Sequence, residues 1–179
     1  MLNDIKEVLY SEEQLQQICQ RLGKQISEDY KDKNLLLVSV LKGSVVFMAD
    51  LMRNITIPAR IDFMSVSSYD GTKTTGNVKI KLDLELDLQG YDLLIVEDIL
   101  DSGITLHSLR AMLSLRNPNS IKICTLLDKP ERRSANIKAD YIGTQVPDEF
   151  VVGYGLDFDE KYRNLPFIGI LKPEVYENR

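Results

Sequence analysis

Tryptophan is absent from this sequence, histidine occurs once, at His107, and cysteine twice, at Cys19 and Cys124. One histidine leaves little material for a His-based zinc site or a His-dependent triad. Two distant cysteines form no CxxC, and each sits among apolar neighbours, as buried free thiols of a reducing compartment do. No apolar run approaches the roughly 18 residues of a spanning helix. Asp4, Lys6 and Glu7 interrupt the start, where a signal peptide needs an apolar core. The chain is therefore expected to be cytoplasmic, with no membrane partner. Positive charge is not in excess either: 22 Lys and Arg face 27 Asp and Glu, a net −5. That balance argues against a nucleic-acid partner. Repeats and low-complexity tracts are also missing. The 179 residues are long enough for one domain with a real core, and 44% hydrophobic against 27% charged content is that of an ordinary globular protein. A single domain over 1–179 is predicted.

The most informative stretch runs from Leu93 to Thr105. Leu93, Leu94, Ile95 and Val96 suggest a strand buried on both faces. Glu97 and Asp98 follow where that strand would end, and then Asp101-Ser102-Gly103-Ile104-Thr105. Leu106, Leu109, Met112 and Leu113 continue at helical spacing. Strand, acidic tip, small-residue turn and helix are the parts of a ligand site at the carboxyl end of an open α/β sheet. The three carboxylates suit a divalent cation, ribose hydroxyls or a developing positive charge. The turn into the helix, with its free N–H groups, suits a phosphate. A sugar phosphate fits both halves. A surface turn with an aspartate cap would explain Asp101 or Ser102 singly, but it accounts poorly for the whole string.

Other segments fill in the architecture. Ser11, Glu12, Glu13 and Gln14 form a capping box before an amphipathic helix carrying Leu15, Ile18, Cys19, Leu22 and Ile26. Residues 34–41 read as a central strand, broken by Lys42-Gly43-Ser44 before a second helix. That turn lacks the Walker pattern. Residues 58–67 read as a strand. The polar, glycine-flanked segment from Ser68 and Tyr69 to Asn77 reads as a loop, either a plain connection or a lid that excludes water. Val78–Leu88 alternates apolar and charged residues, as a half-exposed strand does. Ile121–Leu127 and Phe167–Leu171 supply further strands, with Asp128-Lys129-Pro130 at the end of the first. Glu131, Arg132 and Arg133 are expected on the surface. Phe150-Val151-Val152 precedes Gly153-Tyr154-Gly155, which has no third glycine and so no dinucleotide fingerprint.

Taken together, these segments resemble a purine phosphoribosyltransferase of the hypoxanthine–guanine type, in its short bacterial form. Val96–Thr105 resembles the family's phosphoribosyl-pyrophosphate (PRPP) motif and Phe150–Asp157 its purine segment. Leu41-Lys42-Gly43 resembles its pyrophosphate loop, and Ser68-Tyr69 opens what resembles its flexible loop. The resemblance implies an α/β, type I phosphoribosyltransferase fold: a mostly parallel central sheet flanked by helices, with a small hood and a lid loop. It implies a pentosyl transfer in purine salvage, from PRPP to hypoxanthine or guanine, giving IMP or GMP and pyrophosphate, with Mg2+ as cofactor.

Carried to this sequence, the resemblance gives Glu97 and Asp98 the ribose hydroxyls and their magnesium. Asp101 becomes the general base near N7, and Ser102, Gly103, Ile104 and Thr105 hold the 5′-phosphate. Lys42, Gly43 and Arg163 would meet pyrophosphate, with a strained peptide bond between Leu41 and Lys42. Lys129 would donate to the 6-oxo group, Phe150 would stack on the base and Val151 would read its edge. Asp157 would hold a second magnesium beside the purine. Ile104 stands where some relatives carry a lysine, so a backbone contact is implied there. A homodimer or homotetramer is the family's usual assembly. The competing reading is a regulator of the same fold that senses PRPP and binds nucleic acid. The acidic charge balance and the intact purine segment weigh against it.

Overall fold

The chain alternates strand and helix: β1 (Ile5–Tyr10), α1 (Glu12–Asp29), β2 (Leu35–Leu41), α2 (Val45–Arg53), β3 (Ala59–Ser68), β4 (Val78–Leu82), β5 (Asp92–Leu100), α3 (Ile104–Ser114), β6 (Ser120–Asp128), β7 (Tyr141–Gln145), β8 (Val151–Val152), β9 (Ile168–Leu171) and α4 (Pro173–Tyr176). The computed structural model describes residues 1–68 and 78–177. Six strands form one sheet in the order β4-β3-β2-β5-β6-β7. All pairs are parallel except β3 with β4. β1, β9 and β8 form a separate antiparallel sheet, the hood. The α/β architecture is the one the sequence implied.

Strand composition follows from the layers. Leu35, Leu37, Leu94, Val96, Cys124 and Leu126 face one core with α1 and α2. Leu36, Val38, Leu93, Ile95 and Ile123 face the other with α3. A strand covered on both faces must be apolar at consecutive positions, as β2 and β5 are. A smaller cluster around Val152, Tyr162, Leu165 and Leu171 fills the hood.

Three boundaries differ from the sequence reading. β1 gives no recognisable pattern, because none of its residues is fully buried and two register shifts interrupt its pairing with β9. The alternating run from Val78 leaves the sheet at Leu82. Asp83 accepts a hydrogen bond from the Leu84 N–H at 2.8 Å and pairs with Arg116 beyond α3 at 2.8 Å, turning the chain over that helix. Leu84 and Leu88 are buried nonetheless, in irregular backbone on either side of a bend at Glu85 and Leu86. β5 keeps its pairing with β2 only as far as Val96, but stays paired with β6 to Leu100. Glu97 and Asp98 therefore lie within a strand that has lost one neighbour, not beyond its end.

The capping box is present as expected: Ser11 Oγ accepts from Gln14 N–H, and the Gln14 side chain accepts from Ser11 N–H. Further along α1, Gly23 lets the chain that follows α2 come close. A Cβ at Gly23 would lie 2.5 Å from the Asn54 carbonyl oxygen. Helix propensity alone favours alanine over glycine by about 1 kcal/mol. The obstructing atoms are backbone, held by the Thr56 N–H bond to Ser27 Oγ at 2.9 Å. Steric cost is expected to outweigh the propensity gain, so Gly23→Ala should lower the denaturant midpoint. A midpoint at or above wild type would show that α1 and α2 are free to separate.

Candidate active site

The site lies at the carboxyl ends of β2, β5 and β6, under the hood. Where β2 ends, the Leu41–Lys42 peptide is cis and Lys42–Ser44 turns into α2. This turn fills the space β5 leaves open after Val96. It presses on Asp98: a Cβ on Gly43 would stand 1.7 Å from Asp98 Oδ2. Gly155, at φ +102°, closes from the other side, where its own Cβ would meet the Gly43 carbonyl oxygen at 2.1 Å. Glycine is required at both positions by contact, and at Gly155 by backbone angle as well.

Glu97 and Asp98 are neighbours on a strand, so their side chains leave it on opposite sides. Glu97 lines a cavity of about 150 Å³ with Asp101, Ser102, Gly103 and Thr105. Asp98 faces Gly43 and accepts from Ile99 N–H at 2.8 Å. Burial pushes the Asp98 carboxyl up to about 6, although nearby Arg163 opposes this. Burial, with the Asp98 charge beside it, holds Glu97 well above the usual carboxylate range. Asp157 contributes a like charge near Asp98 and pairs with Arg163 at 2.9 Å. Among the described residues no three carboxylate, His or Cys side chains gather as a closed metal cage.

The turn after β5 is held from behind. Gly103 adopts φ +78°, and a Cβ there would meet Ile137 at 2.5 Å. Arg133 donates to the Asp101 carbonyl at 2.9 Å and to the Leu100 carbonyl at 3.1 Å, and its charge is matched by Asp128. The Ser134 and Ala135 N–H groups take the Ser102 carbonyl at 3.0 and 3.1 Å. Three successive carbonyls are thus engaged by one segment, while at the start of α3 the Ile104 N–H reaches Ser102 Oγ at 3.5 Å. Arg133 was expected on the surface; it is half-buried because its guanidinium is drawn in by the Leu100, Asp101 and Ile137 carbonyls and by Asp128, the Leu100 carbonyl also accepting from Lys129 N–H at 3.0 Å. The sequence held no local signal for this, since Leu100 and Asp101 lie about thirty residues away.

A second cavity, about 390 Å³, is lined by Ile99, Asp101, Lys129, Phe150, Val151 and Asp157, together with Arg132, Asp148 and Tyr176. Lys129 is buried and donates to the Glu149 carbonyl at 2.9 Å. Phe150 stacks on Tyr176 with ring centres 5.1 Å apart, meets Phe158 edge-on at 5.5 Å, and is still 37% exposed. The hood fixes this segment: Val151 pairs with Ile170, and the buried Tyr154 hydroxyl donates to the Asp50 carboxylate of α2. Ile99, Arg132, Asp148 and Tyr176 were not anticipated. Asp101 belongs to both cavities; its Oδ1 is buried without a hydrogen-bond donor, and the nearest cation is Arg132 at 3.4 Å.

Lys42 and Arg163 both reach Glu160, at 2.8 and 3.3 Å. The Lys42 ammonium holds the Glu160 carboxyl below the usual range. Ser68 is the last residue of β3, paired with Val78. Tyr69 and the rest of the anticipated lid lie outside the described residues. No described helix is long and apolar enough to cross a membrane.

Comparison with known proteins points the same way. The profile of the phosphoribosyl transferase domain family matches residues 7–159. A hypoxanthine-guanine phosphoribosyltransferase of Staphylococcus aureus (strain Mu50 / ATCC 700699) is 56% identical over 179 residues, 99% of this chain and 100% of that protein. The crystal structure of a hypoxanthine phosphoribosyltransferase from Staphylococcus aureus superposes with a TM-score of 0.96 at 56% identity, covering 98% of this chain and 96% of that one. A hypoxanthine-guanine phosphoribosyltransferase from Bacillus anthracis, solved with a HEPES molecule in its active site, gives 0.90 at 50% identity over 94% of this chain and 99% of that one. With an acidic strand, a glycine turn into α3 and an aromatic-lined cavity in place over this full-length likeness, the chain belongs to the hypoxanthine–guanine phosphoribosyltransferase family.

Proposed function

We propose that the two cavities are the two substrate sites of one purine-salvage reaction. The phosphoribosyl group of PRPP passes to hypoxanthine or guanine, giving IMP or GMP and pyrophosphate. The observation that carries this reading is the position of Asp101, shared by both cavities with one carboxylate oxygen lacking a hydrogen-bond donor. Ser102 to Thr105 hold the 5′-phosphate through N–H groups, and Glu97 takes the ribose hydroxyls. Phe150 and Ile99 flank the base, Lys129 donates to its 6-oxo group, and Val151 reads its edge. Adenine carries an amino group where hypoxanthine and guanine offer Lys129 an acceptor, so Lys129 would keep only the Glu149 carbonyl at 2.9 Å and Asp148 at 3.7 Å and gain nothing from the base.

Displacement at an anomeric carbon passes through an oxocarbenium-like state. Positive charge grows on the sugar, where the acidic strand tolerates it, while negative charge grows on the departing pyrophosphate, facing Lys42 and Arg163. Asp101 accepts the proton from N7 of the purine; a positioned base typically contributes about 10²–10⁴-fold. The rest comes from orientation and from the fixed charges. Asp98 and Asp157 fit Mg2+ shared with substrate oxygens, since this ion is usually held by one or two carboxylates plus phosphates and not by an all-protein cage. Bound there, the ion supplies charge against the phosphate oxygens. Cytoplasmic salvage and a homodimer or homotetramer complete the proposal.

A substrate panel tests the reading. Pyrophosphate should be released with PRPP, Mg2+ and hypoxanthine or guanine, and not with adenine; release with none of the bases would sink it. Asp101→Asn should retain the fold and PRPP binding while turnover falls by about 10²-fold or more, and unchanged turnover would remove Asp101 as the base.

The raised carboxyls bear on stability. Unfolded, Glu97 and Asp98 ionise near about pH 4. Above that pH the folded protein keeps protons that the unfolded chain has released, so these groups lower stability as pH rises. Glu97→Gln should therefore raise the melting temperature at about pH 8 by about 2–4 °C, roughly what 1 kcal/mol is worth in a chain of this size. The gain should vanish at about pH 4. Equal melting at both pH values would mean that Glu97 is solvated in the folded state.

A further inference from the structure

One carboxylate already joins the two cations assigned to pyrophosphate. Glu160 Oε2 lies 2.8 Å from Lys42 Nζ, and Oε1 lies 3.3 Å from Arg163 Nη2. The two oxygens divide between the cations much as two phosphate oxygens would. Glu160 also occupies an unusual place in the chain. Its φ is +60°, and that of the preceding Asp159 is +54°. Glycine or asparagine adopts this region more readily. The turn is closed by the paired Phe158 and Lys161 and by the Glu160 N–H, which donates to Asp157 Oδ2 at 2.9 Å. Its backbone is thereby tied to a residue of the site while its side chain reaches the cations.

The energetics suit a replaceable contact. The Glu160 and Lys42 side chains are 64% and 66% exposed. Exposed ion pairs contribute little each, and a carboxylate leaving them returns to water without a burial cost. Arg163 keeps Asp157 at 2.9 Å and the Gly155 carbonyl at 2.8 Å when Glu160 departs. The arginine therefore stays in place whether or not Glu160 is bound to it.

We propose that Glu160 is an internal stand-in for the leaving group, an inference that rests on the pyrophosphate assignment of Lys42 and Arg163 given above. Its carboxylate bridges the two cations while pyrophosphate is absent, yields them as the diphosphate enters and takes them back as it leaves. Glu160 thereby holds Lys42 beside the already anchored Arg163 between turnovers and weakens the hold on the released product.

Titrating the full-length protein with magnesium pyrophosphate by calorimetry at low ionic strength tests this. Glu160→Gln and Glu160→Ala should each tighten binding by about three- to tenfold, the yield of removing two exposed ion-pair competitors. Asp159→Asn removes the same charge one position away, where the carboxylate faces Lys161 at 3.4 Å. That variant should change affinity by less than about twofold. Unchanged or weaker binding in both Glu160 variants overturns the proposal, as does equal tightening in Asp159→Asn, which would indicate net charge alone. If the wild-type protein binds no pyrophosphate, the assignment of Lys42 and Arg163 falls first and takes the proposal with it.

Discussion

Asp98 leaves no room for a side chain on Gly43, and the Gly43 carbonyl leaves none on Gly155. This double contact joins three segments far apart in sequence: the turn after β2, the acidic end of β5 and the hood strand running into Gly153–Gly155. Each would otherwise have its own freedom, since β5 has lost β2 as a neighbour by Glu97. Close packing of backbone against carboxylate makes the three one rigid piece. It also fixes where the two carboxyls on β5 sit relative to Lys42 and Arg163.

The charges are sorted by burial. Glu97 and Asp98 lie where water is scarce and resist ionisation, which leaves them avid for a cation or for hydroxyl protons. Lys42 lies in water, where its charge costs little to hold and its partners exchange easily, and Arg163 is more sheltered. Lys129 is the exception, a buried cation whose ammonium already donates to a carbonyl. Such a group rewards a ligand that accepts from it and penalises one that does not. On the proposed assignments, selectivity for the base and release of the leaving group draw on opposite solvation.

Much of this was legible in the sequence, and the reason differs by element. β2 and β5 stood out because burial on both faces forces an unbroken apolar run. α1 announced itself through its capping box and its 3.6-residue spacing. The Val96–Thr105 and Phe150–Asp157 strings were readable because the chemistry is carried by consecutive residues. What sequence alone did not give is what tertiary contact creates. β1 has no pattern, as none of its residues is fully buried. The run after Leu82 alternates like a strand but is diverted by Asp83 toward Arg116. The opposite facing of Glu97 and Asp98 follows from strand geometry once β5 is known to extend to Leu100. Arg132 follows β6, Asp148 precedes β8 and Tyr176 lies in α4, so only the fold brings the three to one cavity.

The wiring of Arg133 has a consequence for how this protein tolerates change over generations. Its guanidinium lines neither cavity, yet it holds the carbonyls on which the phosphate turn and Asp101 are built. Selection on the reaction is thus felt at a position with no part in the chemistry. The heritable footprint of the site is wider than its walls, and an inactivating change at Arg133 would look, in a list of variants alone, like a lesion in an unrelated surface loop.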